Sequence, residues 1–236
     1  MNTRHLQLYI TAETPCGYYE DRMSTNLVPD PELALSMPIY DHLIQHGFRR
    51  SGGHSYRPHC KNCQACIACR IPVKNFVTSR SQQRCRKNNQ DLKVTAVAAG
   101  FSEEYFALYR DYLNSRHVDG SMADPVEEDF TKFLYCDWSD TQFLELRLNG
   151  QLVAVAVTDI INDGLSAVYS FFDPELKKRS LGTYSILKQI DYAKELGLDY
   201  IYLGYWIKDH NKMHYKSSFR PLQLYLDEKW QLLEDI

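Results

Sequence analysis

The 236 residues, 44% of them hydrophobic, suffice for one large domain or two small ones around a real core. With no apolar run of about 18 residues and no basic start leading into an apolar segment, the chain is expected neither to span a membrane nor to be exported. The net charge of -3 would exclude a nucleic-acid partner if the charge were evenly spread, and it is not.

In chain order, Ser36 and Pro38 predict the start of a helix with Ile39, Leu43 and Ile44 on one face, and Gly47 its stop. Between His42 and Gln90 stand ten Lys or Arg and no Asp or Glu, leaving 17 basic against 30 acidic residues elsewhere. A basic segment on an acidic body, interleaved with Phe48, Tyr56 and Phe76, fits a phosphate backbone or another polyanion. Within it, Cys60-x-x-Cys63-x-x-Cys66-x-x-Cys69 has nearly the spacing of zinc knuckles and iron–sulfur sites, with Cys16 and His59 available to complete a set. Seven cysteines, an odd number with four crowded together, do not read as a disulfide framework and suit a reducing cytoplasm. Thr78 to Asn88 predicts a basic helix and Leu92 to Ala98 a strand. These features define a Cys-rich, basic N-terminal region over residues 1–98, with a second domain over 99–236.

In that second part, Ser102 predicts a helix whose Tyr105, Leu108, Tyr109, Tyr112 and Leu113 repeat at core spacing. Phe143 to Leu148 and Leu152 to Ile160 read as strands joined by Asn149-Gly150, and Asn162-Asp163-Gly164 turns into a third, Leu165 to Phe172. A helix follows from Leu181 to Leu196, capped by Ser180 and stopped by Gly197, then a strand from Asp199 to Tyr205. Gly204 leaves room for close approach of another backbone, and the chain spills into Lys212, Tyr215 and Lys216, as at a sheet edge opening onto a large anion. A meander, then strand, helix and strand, is the order of an acetyltransferase-like (GNAT-type) α+β fold. That fold usually binds coenzyme A at a loop needing small residues; in Arg179-Ser180-Leu181-Gly182-Thr183-Tyr184 the last has become Tyr184, which predicts a scaffold that has given up coenzyme A.

The segments Gly47-Phe48-Arg49-Arg50-Ser51-Gly52, Tyr56-Arg57-Pro58, Leu108-Tyr109 with Tyr112 and His117, Phe130 to Leu134, Ser166 to Tyr169, Phe172-Asp173-Pro174 and Ser180 to Ser185 occur in the order found in one family. The sequence resembles, colinearly from Cys16 to Pro221, the arginyltransferase family of aminoacyl-tRNA-protein transferases, and is most similar to its compact bacterial branch. The resemblance implies the acetyltransferase-type fold and, for that branch, transfer of leucine from leucyl-tRNA to proteins with N-terminal Asp or Glu, marking them for degradation. Many family members carry Cys-Gly-Tyr-Cys where this chain has Cys16-Gly17-Tyr18-Tyr19, which weakens the case for zinc or an iron–sulfur cluster on Cys60, Cys63, Cys66 and Cys69.

An aminoacyl-tRNA ester is already activated, and a protein α-amine has an ordinary pKa of about 7.7 to 8.0, so transfer requires no cofactor and no strong base. It requires two positioned substrates and donors aimed at the oxyanion. Candidate catalytic groups are Tyr169, Asp173, Tyr205 and Lys216, with Trp206 and Tyr215 beside them and His117 as a proton relay. Arginine suits a carboxylate through its planar fork, making Arg49, Arg50, Arg57 and Arg220 candidates for the acceptor side chain. Arg80, Arg84, Arg86, Lys87 and Lys212 are candidates for tRNA, and the sequence does not divide the arginines between the two tasks. Two rival readings stand: the same chemistry with arginine, and a metal-holding RNA-binding module without transferase activity.

Overall fold

Eight strands make one mixed sheet in the computed structural model, which describes residues 6–116 and 124–235. The elements are β1 (Leu8–Ile10), β2 (Thr14–Pro15), β3 (Met23–Ser24), β4 (Asn26–Pro29), α1 (Met37–Gln45), β5 (Arg49–Ser51), β6 (His54–Pro58), β7 (Ile67–Pro72), α2 (Arg80–Lys87), β8 (Leu92–Ala98), α3 (Glu103–Arg116), α4 (Glu127–Leu134), β9 (Thr141–Leu148), β10 (Gln151–Ile161), β11 (Gly164–Phe172), α5 (Leu181–Glu195), β12 (Tyr200–Trp206), β13 (Gln223–Leu226) and β14 (Lys229–Leu232). The large sheet runs β14-β13-β7-β12-β11-β10-β9-β8, and β1-β4-β6-β5 form a second, smaller one. Among the described residues only β11 and β12 pair in parallel, α5 being the crossover that parallel neighbours need.

Local chemistry explains most of this. Asn149 and Gly150 take positive φ of 50° and 90°, the conformation a two-residue hairpin demands, and join β9 to β10. Ser79 caps α2 through a capping box with Gln82, whereas Ser180, left-handed at φ 53°, gives α5 no side-chain cap. The α3 stripe is core as expected: Tyr109, Tyr112 and Leu113 pack with Phe130, Phe143 and Phe171 on one face of the sheet. Leu187, Ile190 and Ala193 of α5 pack with Ile71, Leu165 and Ile201. Each such buried aliphatic or aromatic side chain contributes roughly 1.5–3 kcal/mol.

The boundary expected after residue 98 does not separate two sheets. Strands β7 and β8, both from the first 98 residues, lie inside and at the edge of the large sheet, β7 between β13 and β12 and β8 against β9. Among the described residues, no helix is long and apolar enough to cross a membrane.

The parallel junction positions the site. β11 pairs with β12 only from Gly164 to Ser166. The register of β12 against β7 then shifts between Tyr202 and Tyr205, where Gly204 takes φ +70°. Beyond Ser166 the β11 edge has no strand partner on the β12 side, and a cleft opens between the two strands.

Candidate active site

Successive residues of a strand point to opposite sides, and β5 begins with Arg49 and Arg50. Arg50 turns into the core: Nε and Nη2 each donate to an Asp159 carboxylate oxygen at 2.7 Å. Nη1 donates to the Gly52 carbonyl and Nη2 to the Leu134 carbonyl, both at 2.9 Å. Thr141 Oγ1 donates to the same carboxylate at 2.7 Å, and neither charged side chain has exposed surface. A charge buried this completely is tolerated when it is paired and hydrogen-bonded. Arg50 is therefore corrected from acceptor reader to structural ion pair, its fork being occupied by Asp159.

Arg49 goes the other way, into the cleft. Its Nη2 donates to the Val168 carbonyl on the unpartnered edge of β11. Its stem crosses Gly204, where a Cβ would stand 3.1 Å from Arg49 Cδ; the glycine makes room for this side chain and not, as expected, for another backbone. Lys216, on the 3₁₀ turn His214–Ser218, enters the same cleft, is 3% exposed, and donates to the Tyr205 carbonyl. Burial pulls its ammonium down to about 8, opposed by the neighbouring Cys69 and aided by the charge of Arg49. Among the described residues, neither Arg49 nor Lys216 has a carboxylate within ion-pair distance. Their surroundings are Tyr18, Tyr56, Tyr169, Tyr205 and Tyr215 with the thiols of Cys66 and Cys69. Half-buried Arg49 and buried Lys216 thus lie together in the cleft without an acid partner among the described residues.

A cavity of about 620 Å³ borders this cluster, its wall including Tyr18, Tyr56, Cys66 and Tyr205. Arg57 also lines it, donating to the His46 carbonyl at 2.8 Å and lying over the Phe48 ring. The Tyr205 hydroxyl stands 2.8 Å from the Tyr56 carbonyl and 3.2 Å from that of Gly47, and burial holds its pKa well above the ordinary value. Asp173 lies one residue beyond β11, where Oδ1 accepts the Glu175 N–H at 2.8 Å and closes a turn. Tyr169 stays half-buried within electrostatic reach of Arg49, and burial raises its pKa. Trp206 is buried in the core, Tyr215 is half-exposed, Lys212 is exposed, and the Arg220 carbonyl accepts the Val77 N–H at 3.2 Å. His117 lies outside the described residues. Tyr18, which with Tyr56 frames Arg49, escapes sequence reasoning because the Cys16-Gly17-Tyr18-Tyr19 segment draws attention only for its cysteine.

The basic run is not one face. Arg50 and Arg70 are buried, Arg70 stacking 3.6 Å over the Tyr200 ring; Lys74 pairs with Asp199 at 2.7 Å, and Arg86 is held by both oxygens of Asp191 at 2.6 and 2.8 Å. Arg86 is thus corrected from tRNA contact to ion pair, while Arg80, Arg84 and Lys87 are exposed. The cysteine set is also split. Cys69 is 1% exposed in the core beside Ile71 and Leu224, whereas Cys60, Cys63 and Cys66 line the cavity with Cys16. Among the described residues, no group of three or more His, Cys, Asp or Glu is arranged to hold a metal ion. Cys63 instead accepts a hydrogen bond from Arg22 Nη1 at 3.3 Å.

Fold and site together define an α+β protein with a cation-lined cleft where the parallel strands β11 and β12 part. The solved structure of FemX shares this fold, at a TM-score of 0.51 and 10% identity over 86% of this chain and 70% of that one. The family description "Arginine-tRNA-protein transferase, N terminus" matches residues 14–84, and its "C terminus" counterpart matches 104–226. The chain is 48% identical over 236 residues to the aspartate/glutamate leucyltransferase of Stenotrophomonas maltophilia (strain R551-3), covering 98% of this chain and 94% of the relative. It is 49% identical over 232 residues to that of Nitrosococcus oceani, covering 98% of each. This chain belongs to the arginine-tRNA-protein transferase family.

Proposed function

We propose that the protein transfers leucine from leucyl-tRNA to the N-terminal α-amine of proteins beginning with Asp or Glu, in the cytoplasm, and so marks them for degradation. The observation that carries this reading is the pair of cations without acids, half-buried Arg49 and buried Lys216, at the opening between β11 and β12. An acceptor carboxylate supplies the missing anion. The same cations would repel a guanidinium, which favours a leucyl over an arginyl donor, in line with the names of the relatives.

In the reaction the neutral α-amine attacks the ester carbonyl, a C–N bond forms, the C–O bond to the terminal ribose breaks, and the amine proton leaves with the ribose hydroxyl. Backbone N–H groups on the open edge of β11 are the donors available to the developing oxyanion. Tyr169 stands beside this edge as a positioning group. The test offers purified protein tRNAs charged with leucine or arginine, and peptides differing only in residue one. Leucine is expected on Asp and Glu peptides and not on Asn or Gln peptides. Transfer of arginine alone, or equal use of Asp and Asn, overturns the reading.

A pH dependence follows from Lys216. Its ammonium is charged below about 8 and loses its proton as pH rises through that value. The acceptor KM for Asp peptides is therefore expected to rise above about pH 8, with the KM for leucyl-tRNA nearly constant, and Lys216→Gln is expected to flatten that rise. Because burial lowers the folded-state pKa, the unfolded chain binds more protons between about 8 and the ordinary lysine value, so stability rises with pH across that window. An acceptor profile indifferent to the Lys216→Gln change removes Lys216 from the binding site.

A further inference from the structure

On α2, Arg80, Arg84 and Lys87 stand at i, i+4 and i+7, one face of a helix, and all three are exposed. The opposite face, with Gln82 and Cys85 and then Asn89, is buried. Residues Lys177–Arg179, a 3₁₀ turn that leads into α5, are latched to the C-terminal end of α2. Arg179 Nη1 donates to the Asn88 carbonyl at 3.1 Å, and its fork holds Asp91 through two bonds of 2.8 Å. Asn89 Nδ2 in turn donates to the Arg179 carbonyl at 2.8 Å. The latch pairs Arg179 with Asp91, as Asp191 is shared between Arg86 and Lys188, and leaves Lys177 and Lys178 exposed. Among the described residues, Arg80, Arg84, Lys87, Lys177 and Lys178 make no ion pair. The acids next to them, Asp91 and Asp191, are already engaged, and exposed Glu175 lies two residues before Lys177.

This patch borders the mouth of the cleft. Gly182, in the first turn of α5, sits so close to the last residue of β11 that a Cβ there would stand 3.1 Å from the Phe172 ring. A polyanion lying along α2 and the Lys177–Arg179 turn therefore reaches the end of β11 where the strands part. We propose that Lys177 and Lys178, on an element that supplies none of the basic run, complete with Arg80, Arg84 and Lys87 one surface that binds the phosphate backbone of tRNA and directs its aminoacyl end into the cleft. The inference rests on the donor being tRNA-borne. Exposed flexible cations at helical spacing, with no acid or fixed fork among them, suit a repeating phosphate backbone better than a single carboxylate.

The test measures binding of tRNA to the full chain over a range of salt, for wild type, Lys177→Gln/Lys178→Gln, Arg80→Gln/Arg84→Gln/Lys87→Gln, and a control, Lys74→Gln. Each lost phosphate contact lowers the slope of log affinity against log salt by about 0.7 to 0.9, so the double lysine variant is expected to lose about 1.4 to 1.8 from the slope. Its KM for leucyl-tRNA should rise at unchanged acceptor KM and unchanged melting temperature, and Lys74→Gln should match wild type. A double lysine variant with wild-type affinity and slope, in a protein that does bind tRNA, overturns this inference alone. Wild-type protein that binds no tRNA overturns it together with the tRNA-borne donor, whereas a double variant that keeps tRNA and loses acidic vesicles or acidic proteins instead overturns this inference alone.

Discussion

Replacing Arg49 by Ala is expected to lower transfer to Asp and Glu peptides by tens to thousands of fold, because removing one partner of a partly buried charge-assisted pair costs on the order of 2 to 5 kcal/mol. The loss should fall on acceptor KM and on the ranking of Asp over Asn, with tRNA affinity nearly intact. Lysine at this position restores the charge without the fork, and so only part of the activity. Stability should change little. Arg49 has no carboxylate to strand, and the one bond it gives up, to the Val168 carbonyl, contributes roughly 1 kcal/mol, or about 2–4 °C in a chain of this size. Thermal melting alongside a kinetic comparison of Asp and Asn peptides checks both halves. If Arg49→Ala keeps its preference for Asp and loses tRNA affinity, the guanidinium faces phosphate, and Arg57 on the cavity wall becomes the acceptor candidate.

The contrast between Arg49 and Arg50 shows where sequence reasoning runs out. The two residues are adjacent and identical, and period-2 alternation says only that a strand sends them to opposite sides. Which side holds the acid depends on Asp159, 109 positions from Arg50 and near the end of a largely apolar strand. By contrast, Asn149-Gly150, Gly197 and the Gln82 capping box act within a few residues of themselves, and the elements they bound lie where expected, to within a residue or two. The β13–β14 hairpin goes unread because its turn is Asp227-Glu228, at φ 47° and 60°, with neither Asn nor Gly to announce it. Strand β7 goes unread because the cysteine spacing of Cys60 to Cys69 masks the Ile67-Ala68-Cys69-Arg70-Ile71-Pro72 segment; with β7 in the sheet, Cys69 packs in the core while Cys60, Cys63 and Cys66 line the cavity. The region over residues 1–98 thus supplies two strands, β7 and β8, to the large sheet.

Asp159→Ala should be the most destabilising of the substitutions considered, and it should leave specificity alone. It strands a guanidinium with no exposed surface, and breaking a buried pair from one side costs about 3–5 kcal/mol, or roughly 6–20 °C of melting temperature. Arg50→Met should cost less than Asp159→Ala at the charge, but it also frees the carbonyls of Gly52 and Leu134 that the guanidinium ties to β5. The double variant Arg50→Met/Asp159→Leu removes both charges and should recover part of the stability lost in Asp159→Ala, though not all, because those carbonyls stay unpartnered. A double-mutant cycle on melting data measures the coupling. In whatever fraction remains folded, Asp peptides should still outrank Asn peptides, since Arg49 and Lys216 lie on the other side of β5 from this pair. An Arg50→Met protein that melts with wild type yet no longer distinguishes Asp from Asn would reverse the assignment of the two arginines, because stability would then owe nothing to the residue that Asp159 holds and specificity would owe everything to it.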